Sequence, residues 1–187
     1  MGPPVDRRNF EIRNAELEDD ELKDMRKYHI IIAGLVVMFD RLSKAIIAQK
    51  IALHDSVDVI PGLLRLTHVQ NQGAAFGLFS ESPSEFKVGV LILFSVAALA
   101  VVSALLWKNG NAMNRTAIAL SLVFGGALGN LWDRVASGRV IDFMDFYLGS
   151  HHWPAFNIAD SAIVIGALLL LSEIFMAPQE EKAVRSN

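Results

Sequence analysis

The sequence predicts an all-α membrane protein, four transmembrane helices carrying a small sheet at one membrane surface. Three observations carry this. Apolar residues make up 52% of the 187-residue chain and fall into long blocks, with a mean hydropathy of +0.36. Four blocks approach the roughly 20 apolar residues that a helix needs to cross hydrocarbon. Two of the segments between blocks carry strand and turn signals rather than plain linker composition.

The first block runs from about Tyr28 to Gln49 and opens on an apolar run, Ile30 to Phe39. The second, about Val88 to Trp107, contains no charge. Soluble core helices rarely run so long without one. The third, about Thr116 to Trp132, is short and glycine-rich, and the fourth runs from about Asp160 to Met176. This divides the chain into a polar tail (1–27), a four-helix transmembrane domain (28–177) and a second tail (178–187). The first tail is dense in charge, including Arg7, Arg8, Glu11, Arg13 and Glu16. That composition suits a solvated segment with a short helix and is unlike a secretory signal peptide.

Lysine and arginine near span ends favour the cytoplasmic side. Lys23, Arg26 and Lys27 precede the first span, Lys108 and Arg115 lie between the second and third, and Lys182 and Arg185 follow the fourth. Both termini are therefore expected in the cytoplasm, with segments 50–87 and 133–158 on the outer side. In the first of these, Leu64 to Val69 alternates apolar and polar and Asn71-Gln72-Gly73 follows as a turn. Arg139-Val140-Ile141 reads as a second short strand.

Composition removes several function classes. The net charge of −3 offers no basic surface for nucleic acid. The absence of cysteine removes thiolate catalysis and thiolate metal sites. There is no His-Glu-x-x-His motif and no Gly-x-Ser-x-Gly elbow. The adjacent His151 and His152 sit beside Trp153 in a loop and read as interfacial, so no metal and no cofactor is expected.

Ionisable residues inside spans mark function by default. Asp40 and Lys44 are spaced i, i+4 and share a helix face; a self-contained structural pair is an equal reading of them. Gly125 and Gly129 allow close helix approach. Asn130, Asp133 and Arg134 cluster at the outer end of the third span, where an interfacial role also fits. Asp160 follows Asn157 by three residues, a capping-box spacing at a helix start. Asp142 lies among apolar neighbours, Val140-Ile141 and Phe143, and either ends a strand or serves chemistry. The functional reading takes Asp142 and Asp160 together. Two close carboxyls share a proton, one activates water and the other polarises a carbonyl.

Five stretches together resemble one family: Asp40-Arg41-Leu42-Ser43-Lys44; Asn71-Gln72-Gly73-Ala74-Ala75-Phe76-Gly77; Gly125 through Arg134; Val140-Ile141-Asp142-Phe143; and Phe156 through Ser161. The chain resembles lipoprotein signal peptidase, or signal peptidase II, over about Tyr28 to Met176. The resemblance implies four transmembrane helices with a periplasmic β-cradle and an extramembrane loop or helix. It implies an inner-membrane aspartic endopeptidase that cleaves diacylglyceryl-modified prolipoproteins before the lipidated cysteine. It implies Asp142 and Asp160 as the catalytic dyad. Asn71, Gly73, Asn130, Arg134 and Asn157 become substrate-binding positions, and Asp40, Lys44 and Asp133 become structural support. Globomycin-type inhibition, contact with membrane lipid and a working monomer are further implications. One departure is Arg41, where the family usually carries glutamine; as a neighbour of Asp40 on a helix, Arg41 is expected to point away from Asp40 and Lys44, toward a headgroup or loop. The competing reading is a small proton- or ion-coupled transporter subunit, which would use the same acids as a relay. It predicts inverted repeats or broken helices, and the sequence shows no repeat. A purely structural scaffold leaves the outer polar clusters unexplained.

Overall fold

The structure is a computed structural model that describes the backbone of residues 7–73, 84–109 and 113–185, with side chains over 25–73, 85–109 and 113–175. The loop after Gly73, with Ala74 to Phe79, and the chain ends at 1–6 and 186–187 lie outside the described residues.

Among the described residues, four helices and a four-stranded antiparallel sheet alternate along the chain. They are α1 (Arg7–Lys50), β1 (Ser56–Ile60), β2 (Leu64–Asn71), α2 (Ser84–Asn109), α3 (Arg115–Ser137), β3 (Val140–Leu148), β4 (His151–His152) and α4 (Ile158–Arg185). Strand order follows sequence order, β1-β2-β3-β4. α1 begins well before the expected first span: the backbone runs as one helix from Arg7.

α3 is the centre of the bundle and packs against α1, α2 and α4. Its glycines explain why. A Cβ on Gly125 would lie 2.8 Å from the Ala33 carbonyl oxygen of α1, and one on Gly126 would lie 2.3 Å from the Ala159 carbonyl oxygen of α4. Only glycine permits backbones this close. α3 starts on Asn114, whose side chain accepts from Ala117 N, a standard N-cap. It ends on Gly138 in the left-handed region, φ 71°, with its N–H bonded to Arg134 O.

The bundle is inside-out by soluble standards. Ile30, Leu93, Phe94, Trp107 and Phe175 are exposed, while Asp40, Lys44, Ser121, Asn130, Asp133 and Asn157 are buried. Large outward apolar surface marks contact with something other than water. Among the described residues, Glu85–Asn109 and Ile158–Phe175 are long and apolar enough to cross a membrane. α1 carries Asp40, Arg41 and Lys44 within five residues, and α3 carries Asn130, Asp133 and Arg134 at one end.

The sheet is larger than expected. β2 extends the predicted strand through Asn71, and β3 runs nine residues rather than stopping at Ile141. Asp142 is therefore interior to its strand and does not end it. β1, every residue of it exposed, has no counterpart in the sequence reading. The sheet rests on the end of α1 through Ile47, Ile51 and Phe143, with Leu66, Ile141, Met144 and Ile158 packed around them.

Candidate active site

Two elements bring the two predicted aspartates together. β2 and β3 pair with Val69 opposite Asp142 and Asn71 opposite Val140. Asn71 is thus the diagonal neighbour of Asp142, on the same face and within reach. Its amide donates to Asp142 Oδ2 at 3.0 Å. The segment before α4 then folds back on β3. Phe143 N and Met144 N both donate to Phe156 O, at 3.0 and 2.8 Å, and Phe156 N returns to Met144 O at 3.1 Å. This seats Asn157 beside Asp142.

Asn157 is fully buried and serves both acids. Its side-chain amide donates to Asp142 Oδ1 at 2.7 Å. Its Oδ1 accepts from Asp160 N at 2.9 Å, and its own N–H donates to Asp160 Oδ2 at 3.3 Å. The last two bonds are the capping box expected from the Asn157-x-x-Asp160 spacing. Capping fixes Asp160 one turn into α4, and the spare N–H of the cap reaches Asp142.

The other oxygen of Asp160 accepts from Asn130 Nδ2 at 2.7 Å. Asn130 Oδ1 accepts in turn from Lys44 Nζ at 3.1 Å. Lys44 also donates to Asp40 Oδ2 at 2.6 Å and Asp133 Oδ2 at 2.7 Å. Asp40 Oδ1 accepts from Ala159 N at 2.9 Å, which ties α1 to the first turn of α4. Lys44 and Asp40 are 2% and 0% exposed. A buried ammonium with three oxygen partners has all its protons placed, which is the condition under which buried charge is tolerated.

Asp142 is 4% exposed, and burial is the main cause that pushes its carboxyl from the ordinary 3.8 up to about 6. The nearby negative charge of Asp160 adds to the rise, while the hydrogen bonds from Asn71 and Asn157 oppose it. The second acid of the strand, Asp145, has a different fate. It stands an odd number of residues from Asp142 and so takes the other face. There it is opposite Arg65, whose Nε donates to it at 2.6 Å.

The remaining predicted residues fall around this centre. Arg134 Nη1 donates to Asn130 O at 3.3 Å. Gly73, φ 96°, turns the chain after β2, and its N–H donates to Asn71 Oδ1 at 2.7 Å. That bond orients the Asn71 amide so that its NH₂ faces Asp142. Arg41 departs from expectation. It does not turn away: its guanidinium bonds to Asp133 Oδ1, the carboxylate that Lys44 shares. A long arginine reaches across to the next helix where its Cα direction alone suggested otherwise. Phe156 and Ala159 contribute only backbone groups, so side-chain patterns held no signal for them. Among the described residues no cluster of metal-ligating side chains occurs; His152 instead stacks on Tyr147 and bonds Asp145.

The arrangement is a pair of carboxyls from two elements, held by three asparagines, one with a raised pKa. Such a pair suits hydrolysis by an activated water. The family model described as Signal peptidase (SPase) II matches residues 32–176. Relatives named lipoprotein signal peptidase include one from Solibacter usitatus (strain Ellin6076), 37% identical over 87% of this chain and 98% of its own length. Another, from Geobacter sulfurreducens (strain ATCC 51573 / DSM 12127 / PCA), is 42% identical over 78% of this chain and 89% of its own length. A solved bacterial membrane enzyme superposes with a TM-score of 0.72 at 34% identity, covering 82% of this chain and 91% of that one. With its two apolar helices, its small antiparallel sheet and a match across most of its length, this chain belongs to the signal peptidase II family.

Proposed function

We propose that this protein removes the signal peptide from diacylglyceryl-modified prolipoproteins, hydrolysing the bond before the lipidated cysteine with Asp142 and Asp160 as its catalytic dyad. The observation that carries this reading is the double role of Asn157, which bonds Asp142 through its amide and caps α4 at Asp160. A cap alone needs no second acid; a dyad needs one residue that registers both.

The pair shares one proton. The ionised carboxyl takes a proton from a water as its hydroxide adds to the scissile carbonyl carbon. The protonated carboxyl donates a hydrogen bond to the carbonyl oxygen. Collapse breaks the C–N bond and delivers a proton to the departing cysteine amine. The signal peptide leaves with a new carboxylate, and neither metal nor covalent intermediate is needed. Asn71, Gly73, Asn130, Arg134 and Asn157 hold the substrate backbone, and Asp40, Lys44 and Asp133 keep α1, α3 and α4 in register.

All four helices cross the bacterial inner membrane in this reading, with both termini cytoplasmic and the sheet and dyad toward the periplasm. The buried polar interior and outward apolar residues of α1 support its span. Globomycin-type compounds are expected to bind the dyad, and the protein is expected to work as a monomer. Because the chain lacks cysteine, the orientation is testable by single labels: Leu148→Cys should react with an impermeant maleimide from outside, and Met113→Cys only after lysis.

The deciding experiment is cleavage of a lipidated prolipoprotein by the detergent-purified protein, with Asp142→Asn and Asp160→Asn alongside. Folded but inactive variants support the dyad. Near wild-type cleavage by both would move catalysis elsewhere and leave the two acids as strand and cap residues.

A further inference from the structure

At the end of the bundle remote from Asp142, α1 and α2 both pack on α3 and make almost no contact with one another. The gap between them is a cavity of about 520 Å³, within the usual range for ligand sites. We propose that it holds one anionic phospholipid, its phosphate at Arg26 and His29 and one acyl chain along the apolar wall. The proposal rests on the membrane orientation above but not on the catalytic assignment.

Four observations support it. His29 lines the cavity, is only 5% exposed, and neither ring nitrogen has a hydrogen-bond partner among the described residues. A buried imidazole with a donor and an acceptor unmet is costly. A turn of the ring toward the cavity brings a nitrogen to a phosphate or ester oxygen, which supplies what it lacks. Arg26 stands at the same end, its guanidinium 4.6 Å from the centre of the Trp107 ring. A tryptophan beside cations is the usual signature of the headgroup level.

The dimensions also fit. From Arg26 the cavity runs along α1 to Val37, eleven residues on and about 16 Å deeper. That is close to the thickness of one hydrocarbon leaflet, about 15 Å. Past the polar end the walls are apolar, with Ile30, Ala33, Leu106 and Phe124 among them. Finally, charge selects the occupant. Lys27 and Lys108, next in sequence to the lining residues Arg26 and Trp107, are exposed, which suits the anionic cytoplasmic leaflet and repels the positive n-region of a signal peptide.

Gly34 supplies a handle. It lines the cavity, and a Cβ there meets nothing within 4 Å. Gly34→Leu therefore fills the space. The test is native mass spectrometry of the full-length protein in detergent, titrated with phosphatidylglycerol or phosphatidylcholine. The wild type should retain one phosphatidylglycerol and bind it better than phosphatidylcholine. Arg26→Gln and His29→Phe should each weaken phosphatidylglycerol roughly fivefold, the loss expected for about one headgroup contact. Gly34→Leu should abolish retention while eluting as a monodisperse species. Should Gly34→Leu fail to fold, the Arg26 and His29 variants decide alone. Equal retention of both lipids, or unchanged retention in those two variants, overturns the proposal. So does displacement of the lipid by a lipidated prolipoprotein, which would make the cavity a signal-peptide site, or a doubled mass, which would make it an interface with a second copy. Because lipid retention is read without cleavage, Asp142→Asn should bind phosphatidylglycerol as the wild type does, whether or not the dyad assignment stands.

Discussion

Lys44 Nζ donates to Asn130 Oδ1 at 3.1 Å, and this bond decides which way the Asn130 amide faces. An ammonium has only donors, so the amide oxygen must turn toward it and the NH₂ must turn toward Asp160. The orientation of one donor to Asp160 is thus set from α1, a helix that contributes neither Asp142 nor Asp160.

Removing Lys44 should therefore harm both stability and chemistry. Lys44→Met leaves Asp40 buried without a cation and Asp133 with Arg41 alone, a loss of about 3–5 kcal/mol. Arg41→Gln removes the other partner of Asp133, but its side chain is 44% exposed, and exposed pairs contribute about 1 kcal/mol or less. Thermal unfolding in detergent should separate the two variants widely. Equal losses would mean that the buried network is not organised around Lys44.

Asn157 separates capping from catalysis by magnitude. Loss of an N-cap costs about 1 kcal/mol. Loss of the registration between two reacting groups costs about a hundredfold in rate or more. Asn157→Ala should show both: a small drop in melting temperature and at least about a hundredfold fall in cleavage. A small drop in each would reduce Asn157 to a cap.

The raised pKa of Asp142 has a definite sign in stability. Its folded value, about 6, lies above the ordinary 3.8. The favourable contribution of the protonated carboxyl is then fully present below pH 3.8 and is lost as pH rises through 6. The total is about 3 kcal/mol at most. The melting temperature of wild type relative to Asp142→Asn should fall between pH 4 and pH 7, roughly across this window. In cleavage, a limb of kcat/KM near pH 6 is expected. Asn71→Leu removes a bond that favours the charged form, so the limb should move to higher pH. Movement to lower pH would contradict the geometry.

Close approach at α3 predicts a steric variant. Gly126→Ala puts a methyl 2.3 Å from the Ala159 carbonyl oxygen, and backbone cannot yield cheaply. About 1–3 kcal/mol of destabilisation is expected, together with loss of cleavage, since Ala159 stands next to Asp160. Gly34→Ala is the control, because its methyl meets open space. Similar losses in both would refute the packing argument.

The helices are legible in the sequence because hydrocarbon imposes one rule, and Val88 to Trp107 obeys it without exception. The sheet is less so. β3 reads Val-Ile-Asp-Phe-Met-Asp-Phe-Tyr-Leu, with apolar residues on both faces, so alternation fades after Ile141. β1 is exposed throughout and leaves no burial pattern to find. Asp160 was open to two local readings, cap or acid, and the structure shows that a cap is how the acid is positioned. Asp142 and Asp145 look alike in the sequence; only the pairing of β3 with β2 hands Arg65 to one and Asn71 to the other. Arg41 misled because a helix fixes where a side chain starts and a flexible arginine chooses where it ends.

The bond from Ala159 N to Asp40 spans 119 positions of the chain. A ribosome must finish nearly the whole polypeptide before the first helix can meet the last. Until then Asp40 has Lys44 but not the Ala159 N–H, and α4 lacks its tie to α1. The contact that ties the first helix to the first turn of the last, and with it the setting of Asp160, is therefore among the last parts of the fold to form.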